Sequence, residues 1–210
     1  MKDKAKFVLE IPVVEVKNKI NLNYDILGLK IENEEEVQYL KGLLPIIKKP
    51  LMIRAESGLL KKIINILDRE CIIGIIDDKN YKEIVPLAVK NNHTVIIRTP
   101  IDINLAKEMN ILTYEMGLEK ILIDTDIGGI GYGFEYGYSI MEKIKLENDK
   151  FLNKPIISFA VEETLKTKEA KDKNLSLYLE ICAASAVMAC GADYIVLNTD
   201  SALDVMRRLL

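Results

Sequence analysis

Residues 51–98 read LMIRAESGLLKKIINILDRECIIGIIDDKNYKEIVPLAVKNNHTVIIR, and this stretch decides the fold. Three short runs rich in Ile and Val, at 51–55, 72–76 and 94–98, alternate with two longer stretches whose apolar residues recur at helical spacing. The runs are too short for helices, and their continuous apolarity is typical of strands buried on both faces of a parallel sheet. The stretch therefore predicts strands and helices in alternation.

The same alternation extends over the whole chain. It predicts eight strands, at Lys6–Pro12, Asp25–Ile31, Leu51–Ala55, Ile72–Ile76, Thr94–Arg98, Ile121–Asp124, Ile156–Phe159 and Tyr194–Leu197. Helical spacing predicts seven helices, at Glu34–Ile47, Gly58–Arg69, Tyr81–Lys90, Ile103–Met116, Tyr136–Leu146, Leu175–Ala189 and Ala202–Leu210. The first connection, Val13–Asn23, lacks clear helical periodicity, so we predict a shortened loop there.

Eight strands alternating with seven helices in 210 residues predict a compact α/β fold, the (β/α)₈ or TIM barrel, with its first helix missing or short. No low-complexity linker divides the chain, so we expect residues 1–210 to form a single domain. The alternative is an open doubly wound sheet. That fold needs fewer strands, and no GxGxxG motif follows the first strand.

Composition excludes several classes of function. A net charge of −3 and a pI near 5.4 argue against a nucleic-acid binder, and no apolar run is long enough to span a membrane. The N-terminus does not resemble a signal peptide, so we expect a cytoplasmic protein. The three cysteines form no CxxC pair and hence no iron–sulfur ligand set. The one histidine, His93, precedes a strand, which excludes a Ser/His or Cys/His nucleophile at the mouth.

The candidate site residues come from the loops that follow the strands, because those loops carry the chemistry of such barrels. They include Asp77, Asp124, Asp126, Ser158 and Asn198. The strand ends and their loops also carry Arg54, Arg98 and Glu162, and we predict that residues 160–163 form the loop after the seventh strand. Asp124 ends an apolar strand directly before a glycine-rich loop, so we expect its carboxylate to point into the mouth. The carboxylates would suit Mg²⁺, but acidic residues here also cap helices, and we predict no metal site.

The most distinctive stretch, residues 124–138, reads DTDIGGIGYGFEYGY. It supplies the remaining candidates for cofactor binding, Gly128, Gly129, Gly131, Tyr132 and Gly133. Glycine lets a flat ligand approach the backbone closely, and aromatic faces suit a ring system or a partner surface. The alternative is a loop that only packs on the neighbouring helix.

The stretch 124–144 resembles the small (delta) subunit of the corrinoid iron–sulfur protein, part of the CO dehydrogenase/acetyl-CoA synthase system of methanogens and acetogens. The positions that carry the resemblance are Gly128, Gly131, Tyr132, Gly133, Glu135, Tyr136, Ser139, Met141 and Glu142. Further similarity lies in DINLAK at 102–107, KPIIS at 154–158, KTKEA at 166–170 and GAD at 191–193. The resemblance covers roughly residues 50–200.

The resemblance implies a barrel related to pterin-binding methyltransferases and dihydropteroate synthases. It also implies a partner, a large subunit carrying an iron–sulfur cluster, with a corrinoid held between the two subunits over the mouth of the barrel. The implied function is methyl transfer between a tetrahydropterin and that corrinoid. In this function the barrel binds the corrinoid and docks partners, and it supplies no catalytic nucleophile.

Departures from the family pattern keep two alternatives open. Family members are usually longer, Thr125 and Asp126 stand in place of Pro and Thr, and residues 54–58 replace a glycine-rich loop. One alternative is a stand-alone pterin-binding methyltransferase, in which Asp124 accepts hydrogen bonds from the pterin ring and Asn198 or Asp77 assists. The other is a minimal paralogue with a changed ligand. Whether the chain is an enzyme stays open.

Overall fold

The computed structural model describes residues 5–99, 102–147 and 149–209. Its strands are β1 (Lys6–Pro12), β2 (Ile26–Ile31), β3 (Leu51–Ala55), β4 (Ile72–Ile76), β5 (Thr94–Arg98), β6 (Ile121–Asp124), β7 (Ile157–Ser158) and β8 (Tyr194–Leu197). Its α-helices are α1 (Val16–Lys19), α2 (Glu34–Leu43), α3 (Ser57–Ile64), α4 (Tyr81–Lys90), α5 (Ile103–Glu115), α6 (Phe134–Leu146), α7 (Ala160–Leu165), α8 (Lys173–Cys190) and α9 (Asp200–Leu209). The 3₁₀ turns Val13–Glu15 and Glu169–Lys171 complete the description.

The eight strands form one parallel sheet in the order β6-β5-β4-β3-β2-β1-β8-β7. The two end strands meet, because Ile123 and Ile156 form an isolated parallel bridge and the Ile123 N–H donates to the Pro155 carbonyl at 2.9 Å. The sheet is therefore a nearly closed barrel. The predicted (β/α)₈ barrel is confirmed, and the open doubly wound alternative is wrong.

The core has two layers, because successive side chains of a strand point to opposite faces of the sheet. Inside the barrel, Val8, Met52, Ile96 and Phe159 belong to one buried cluster. A larger buried cluster fills the space between the strands and the surrounding helices. The strands are buried on both faces, which is why their sequences read as continuous apolar runs.

The helices α2 and α3 end at Leu43 and Ile64, earlier than the predicted ends at Ile47 and Arg69. Two further segments differ from the sequence prediction in the type of structure. In Val13–Asn23, the predicted loop contains a 3₁₀ turn and the four-residue α1, so the first helix is short rather than missing. The Ala160–Glu163 segment, predicted as a loop, begins α7, because Ala160, Val161 and Thr164 bury one side of that helix. The predicted end of the last helix at Leu210 lies outside the described residues.

Capping residues fix where several of the helices begin and end. The Asn33 side chain accepts a hydrogen bond from the Glu36 N–H at 3.0 Å and begins α2, and Asp102 caps α5 in the same way. Gly191, with a φ of +100°, ends α8 in the left-handed conformation that favours glycine. In the part of the chain that the structure describes, no helix is long and apolar enough to cross a membrane.

Candidate functional site

The floor of the barrel mouth is built around Arg54, at the end of β3. Its Nε donates to Glu10 Oε1 at 2.6 Å, and its Nη2 donates to Glu10 Oε2 and, at 2.8 Å, to Glu162 Oε2. All three groups are largely buried. Burial by itself would lower the pKa of Arg54, but the two glutamates raise it above its ordinary value. Burial would likewise raise the pKa of Glu162, but Arg54 keeps it below the ordinary value.

A second ion pair at the mouth joins Arg98 of β5 to Asp124 of the neighbouring strand β6. Arg98 Nε donates to Asp124 Oδ2 at 2.6 Å and lies 3.4 Å from Asp126 Oδ1. The other oxygen of Asp124 accepts the Asp126 N–H at 3.0 Å. Asp124 has no exposed surface, and this burial raises its pKa although Arg98 opposes the rise. The predicted orientation of Asp124 into the mouth is consistent with this pairing, but both oxygens already have partners within the chain.

Phe159 lies between the two ion pairs. The Arg54 guanidinium carbon is 4.3 Å from the centroid of its ring, and the Arg98 carbon is 5.5 Å from it. Both distances are within the range of cation–π contacts. The ring and the two paired guanidinium groups close the barrel interior towards the mouth, so a ligand that enters along the barrel axis meets groups that are already paired.

The glycine-rich loop forms a rim above this floor, and its glycines have two different surroundings. A Cβ on Gly128 would lie 2.4 Å from the Tyr132 carbonyl oxygen, and a Cβ on Gly129 would lie 2.6 Å from the Glu163 carbonyl oxygen. These two glycines allow the loop to pack on itself and on α7, which matches the packing alternative. Gly131 and Gly133 have φ values of +79° and +91°, and a Cβ on Gly131 would meet no atom within 4 Å.

Two tyrosines flank the open part of the rim. Tyr132 is 52% exposed and Tyr136 is 62% exposed, whereas Phe134 and Tyr138 pack partly against the core. The Tyr132 hydroxyl donates to Glu169 Oε2 at 3.2 Å, which ties the rim to the segment after α7. The rim therefore presents two aromatic side chains beside two glycines.

The other predicted site residues serve local structure in this conformation. Asp77 Oδ1 accepts the N–H groups of Lys79 at 2.9 Å and Asn80 at 3.2 Å, so it shapes the turn after β4. Ser158 is buried in β7, and its hydroxyl accepts the Ala160 N–H at 3.3 Å. These contacts do not bring Asp77 or Ser158 together with the rim.

Asn198, after β8, has a different environment. Its N–H donates to Glu180 Oε1 at 2.7 Å, and its own Oδ1 is buried without a hydrogen-bond partner in the described part of the chain. Glu180 also accepts from the Thr199 hydroxyl at 2.8 Å, and burial raises the pKa of this glutamate. Sequence reasoning missed Glu180, although a lone acidic residue in an apolar helix was a signal.

The open space at the mouth lies beside the floor. One cavity of about 690 Å³ lies over β2–β4 and is lined by Lys30, Arg54, Glu56 and Asn80, among others. A smaller one of about 270 Å³ is lined by Glu10, Lys30, Glu162 and Asn198, among others. Sequence reasoning listed Arg54, Arg98 and Glu162 at strand ends but missed Glu10 and the pairing. An acidic residue inside the apolar run of β1 was the available signal.

The fold defines the class of protein. The structure is similar to dihydropteroate synthases: one from Coxiella burnetii, in complex with pteroic acid, has a TM-score of 0.73 over 100% of this chain and 93% of that chain, at 11% identity. Another, from Thermus thermophilus, has a TM-score of 0.72 over 99% and 94% of the two chains, at 13% identity. The chain is therefore a TIM-barrel protein with the dihydropteroate synthase fold.

Sequence comparison gives the family. Residues 5–210 match the family described as CO dehydrogenase/acetyl-CoA synthase delta subunit, and the chain belongs to that family. It is 27% identical over 194 residues to the acetyl-CoA decarbonylase/synthase complex subunit delta of Methanopyrus kandleri, a match over 82% of this chain and 48% of that protein. The subunit of Methanocaldococcus jannaschii is 29% identical over 134 residues, 57% of this chain and 33% of that protein. The chain thus spans about half or less of these relatives' length, and the predicted family is confirmed.

Proposed function

We propose that this chain is the corrinoid- and partner-binding barrel of its family, acting in methyl transfer between a tetrahydropterin and a corrinoid. The observation that supports the proposal is the rim at the mouth, where open glycines lie beside exposed tyrosines above a floor of paired charges. Its relatives are named as subunits of a decarbonylase/synthase complex, and these names support a partner subunit for this chain. In this proposal the partner is a large subunit that carries an iron–sulfur cluster.

The rim fits a flat macrocycle. The space next to the Gly131 Cα is open, and a Cβ on Gly133 would approach only the Tyr136 ring, at 3.7 Å. Backbone without side chains there would let the edge of a planar ligand approach closely. The exposed faces of Tyr132 and Tyr136 would pack against it and exclude water.

Each part of the mouth has its own role in this proposal. A bound corrinoid supplies the cobalt that carries the methyl group. Gly131 and Gly133 give access to the backbone, and Tyr132 and Tyr136 orient the ring. Arg54 and Arg98, already paired with carboxylates, keep the floor rigid and supply no nucleophile.

The test is titration of the full chain with hydroxocobalamin, followed by visible absorbance, with and without the iron–sulfur subunit. We expect Gly131→Val to weaken binding at least about tenfold, because the side chain would occupy the space above the rim. Gly117→Val is the matched control, because Gly117 has a φ of +90° and ends α5 far from the mouth. Equal affinities of the two variants would contradict the proposal.

The second candidate function is a stand-alone pterin-binding methyltransferase, which the dihydropteroate synthase fold favours. In it the Asp124 carboxylate would leave Arg98 and accept hydrogen bonds from the pterin ring. The Asp124→Asn variant would then weaken tetrahydrofolate binding by about 1–3 kcal/mol. Calorimetric titration checks this, with Asp77→Asn in parallel. An unchanged affinity in the Asp124 variant would exclude this candidate and leave the first one standing.

A further inference from the structure

A cavity of about 500 Å³ opens at the opposite end of the barrel, where the strands begin. Its apolar lining includes Ile26, Leu51, Ile72 and Tyr194. Ile26, Ile72 and Tyr194 also belong to or pack against the cluster inside the barrel. A volume of this size is ordinary for a small-molecule site.

The two carboxylates that line this cavity are paired with cations outside it. Asp25 Oδ2 lies 2.8 Å from Arg207 Nη2 and accepts the Phe7 N–H at 2.7 Å. Glu70 Oε2 lies 2.6 Å from Lys120 Nζ. Neither Arg207 nor Lys120 is among the lining residues. The negative charge of the lining is therefore already compensated.

The lining lysines are not compensated in this way. Lys6, Lys48 and Lys49 have no carboxylate within 4.0 Å among residues 5–99, 102–147 and 149–209. Lys49 Nζ is held by the carbonyls of Leu22 at 2.6 Å and Tyr24 at 3.0 Å, and Lys48 Nζ donates to the Pro45 carbonyl at 2.8 Å. These carbonyls hold the ammonium groups without neutralising their charge.

The remaining lining cation, Arg69, is held in place by the chain itself. It donates to the carbonyls of Ile47 at 2.6 Å and Leu44 at 2.9 Å, and its Nε pairs with Asp68 at 2.7 Å. The Lys6 ammonium lies 5.3 Å from the centroid of the Tyr194 ring, so charge and aromatic surface are adjacent. The cavity thus combines apolar walls with three lysines that have no carboxylate within 4.0 Å in the described part of the chain.

We infer that this cavity binds a small amphipathic anion, with its apolar ring against Ile72 and Tyr194 and its negative group near Lys6, Lys48 and Lys49. The ligand class is an aryl carboxylate or an anion of similar shape. This site is independent of the mouth and of the function proposed above. A lysine without an ion-pair partner at the entrance of a cavity offers N–H donors to an anion and attracts it by its positive charge.

The probe is 2-naphthoate, which has a flat apolar ring and one negative charge. Its fluorescence anisotropy can be followed directly, because the chain contains no Trp that would absorb or emit with it. The matched control ligand is 2-naphthamide, which has nearly the same shape and no charge. We expect naphthoate to bind, naphthamide to bind at least about fivefold more weakly, and added NaCl to weaken naphthoate binding.

The variant is Lys6→Gln/Lys48→Gln, which removes two lining charges and leaves the carbonyl contacts of Lys49 intact. The matched control is Lys17→Gln/Lys82→Gln, which makes the same change in net charge at two exposed lysines outside the cavity. We expect the first variant to weaken naphthoate binding about fivefold and the control to leave it unchanged. Absence of naphthoate binding, equal binding of the two ligands, or equal effects of the two variants would each overturn the inference.

Discussion

The two ends of the barrel differ in how completely their cations are paired with carboxylates. At the mouth, the arginines at the ends of β3 and β5 are paired with buried carboxylates, and Lys30 and Lys166 also have acidic neighbours. At the opposite end, three lysines surround a cavity with no carboxylate partner in the described chain. The ion pairs at the mouth therefore stabilise the mouth itself, whereas the lysines of the proposed anion site have no carboxylate within 4.0 Å in the described part of the chain.

The largest expected effect tests the mouth. Arg54→Met would leave the buried Glu10 without its partner, and breaking a buried ion pair in this way costs about 3–5 kcal/mol. Urea unfolding at pH 7 measures the loss. Arg69→Met, at the opposite end, removes hydrogen bonds of a half-buried arginine and should cost only about 1 kcal/mol. Similar losses in both variants would remove the distinction between the two ends.

The next effect separates the lysines at the opposite end. Lys49→Met removes the donor to two carbonyls and should lower the free energy of unfolding by about 1 kcal/mol. The ammonium group of Lys49 also lies 4.2 Å from the centroid of the Tyr24 ring, a contact that the variant loses. The same urea titration measures the difference, with Lys48→Met as the comparison, because the exposed Lys48 donates to one carbonyl, that of Pro45. A Lys48 variant that is as unstable as the Lys49 variant would mean that both are structural.

The dependence on pH should differ between the two ends. His93, at the start of β5, is buried; its Nδ1 accepts the Cys71 N–H at 3.2 Å, and burial lowers its pKa. The imidazole of His93 therefore binds a proton more tightly in the unfolded chain than in the folded one. The contribution of His93 to the free energy of unfolding is fully present above about pH 6.5 and is lost as the pH falls below that value. Glu162 has a lowered pKa, so its contribution is kept until the pH falls below about 4.3.

Urea midpoints at pH 7.5 and 5.5 check this difference. Between these values the wild type should lose more stability than His93→Gln, because His93 is the single imidazole in the sequence. The raised pKa values of Asp124 and Glu180 act in the opposite direction and are common to both proteins. Glu162→Gln serves as the control at the mouth and should keep the wild-type slope over this range. A His93 variant with an unchanged slope would show that another group is responsible.

The smallest expected effect concerns the lysines of the proposed anion site. Lys6→Gln/Lys48→Gln should change the free energy of unfolding by no more than about 0.5 kcal/mol, because these side chains lie at the surface without ion pairs in the described chain. The measurement is again urea unfolding, in the absence of any ligand. A loss above about 2 kcal/mol would mean that these lysines stabilise the fold instead.

Most of the fold could be predicted from the sequence. Buried parallel strands leave a direct mark, a short continuous apolar run, and six of the strands have the predicted bounds. The helix α7 was missed because six residues provide less than two turns of helical pattern. The buried side of α7 is determined by its packing beneath the rim, and the sequence of six residues does not reveal this tertiary contact.

The site could be predicted less completely. The position of Asp124 at the end of a strand was readable, but its partner Arg98 lies 26 positions away and is set by the register of β5 and β6. Glu10 and Arg54 are 44 positions apart and meet because β1 and β3 flank β2. The glycines at 128 and 129 were readable as close-approach positions, yet what approaches them is the chain's own backbone.

The seam between β6 and β7 has a consequence for motion. The barrel closes there through the Ile123–Ile156 bridge, and β7 has two residues. Above that seam, the Ile130 N–H donates to the Thr164 hydroxyl at 3.1 Å, so the rim loop is hydrogen-bonded to α7, which follows β7. Deuterium should enter the amides along this seam by local opening sooner than it enters those between β1 and β2. Because this hydrogen bond connects the loop after β6 to the helix after β7, a molecule that makes the rim more rigid would also slow amide exchange between β6 and β7.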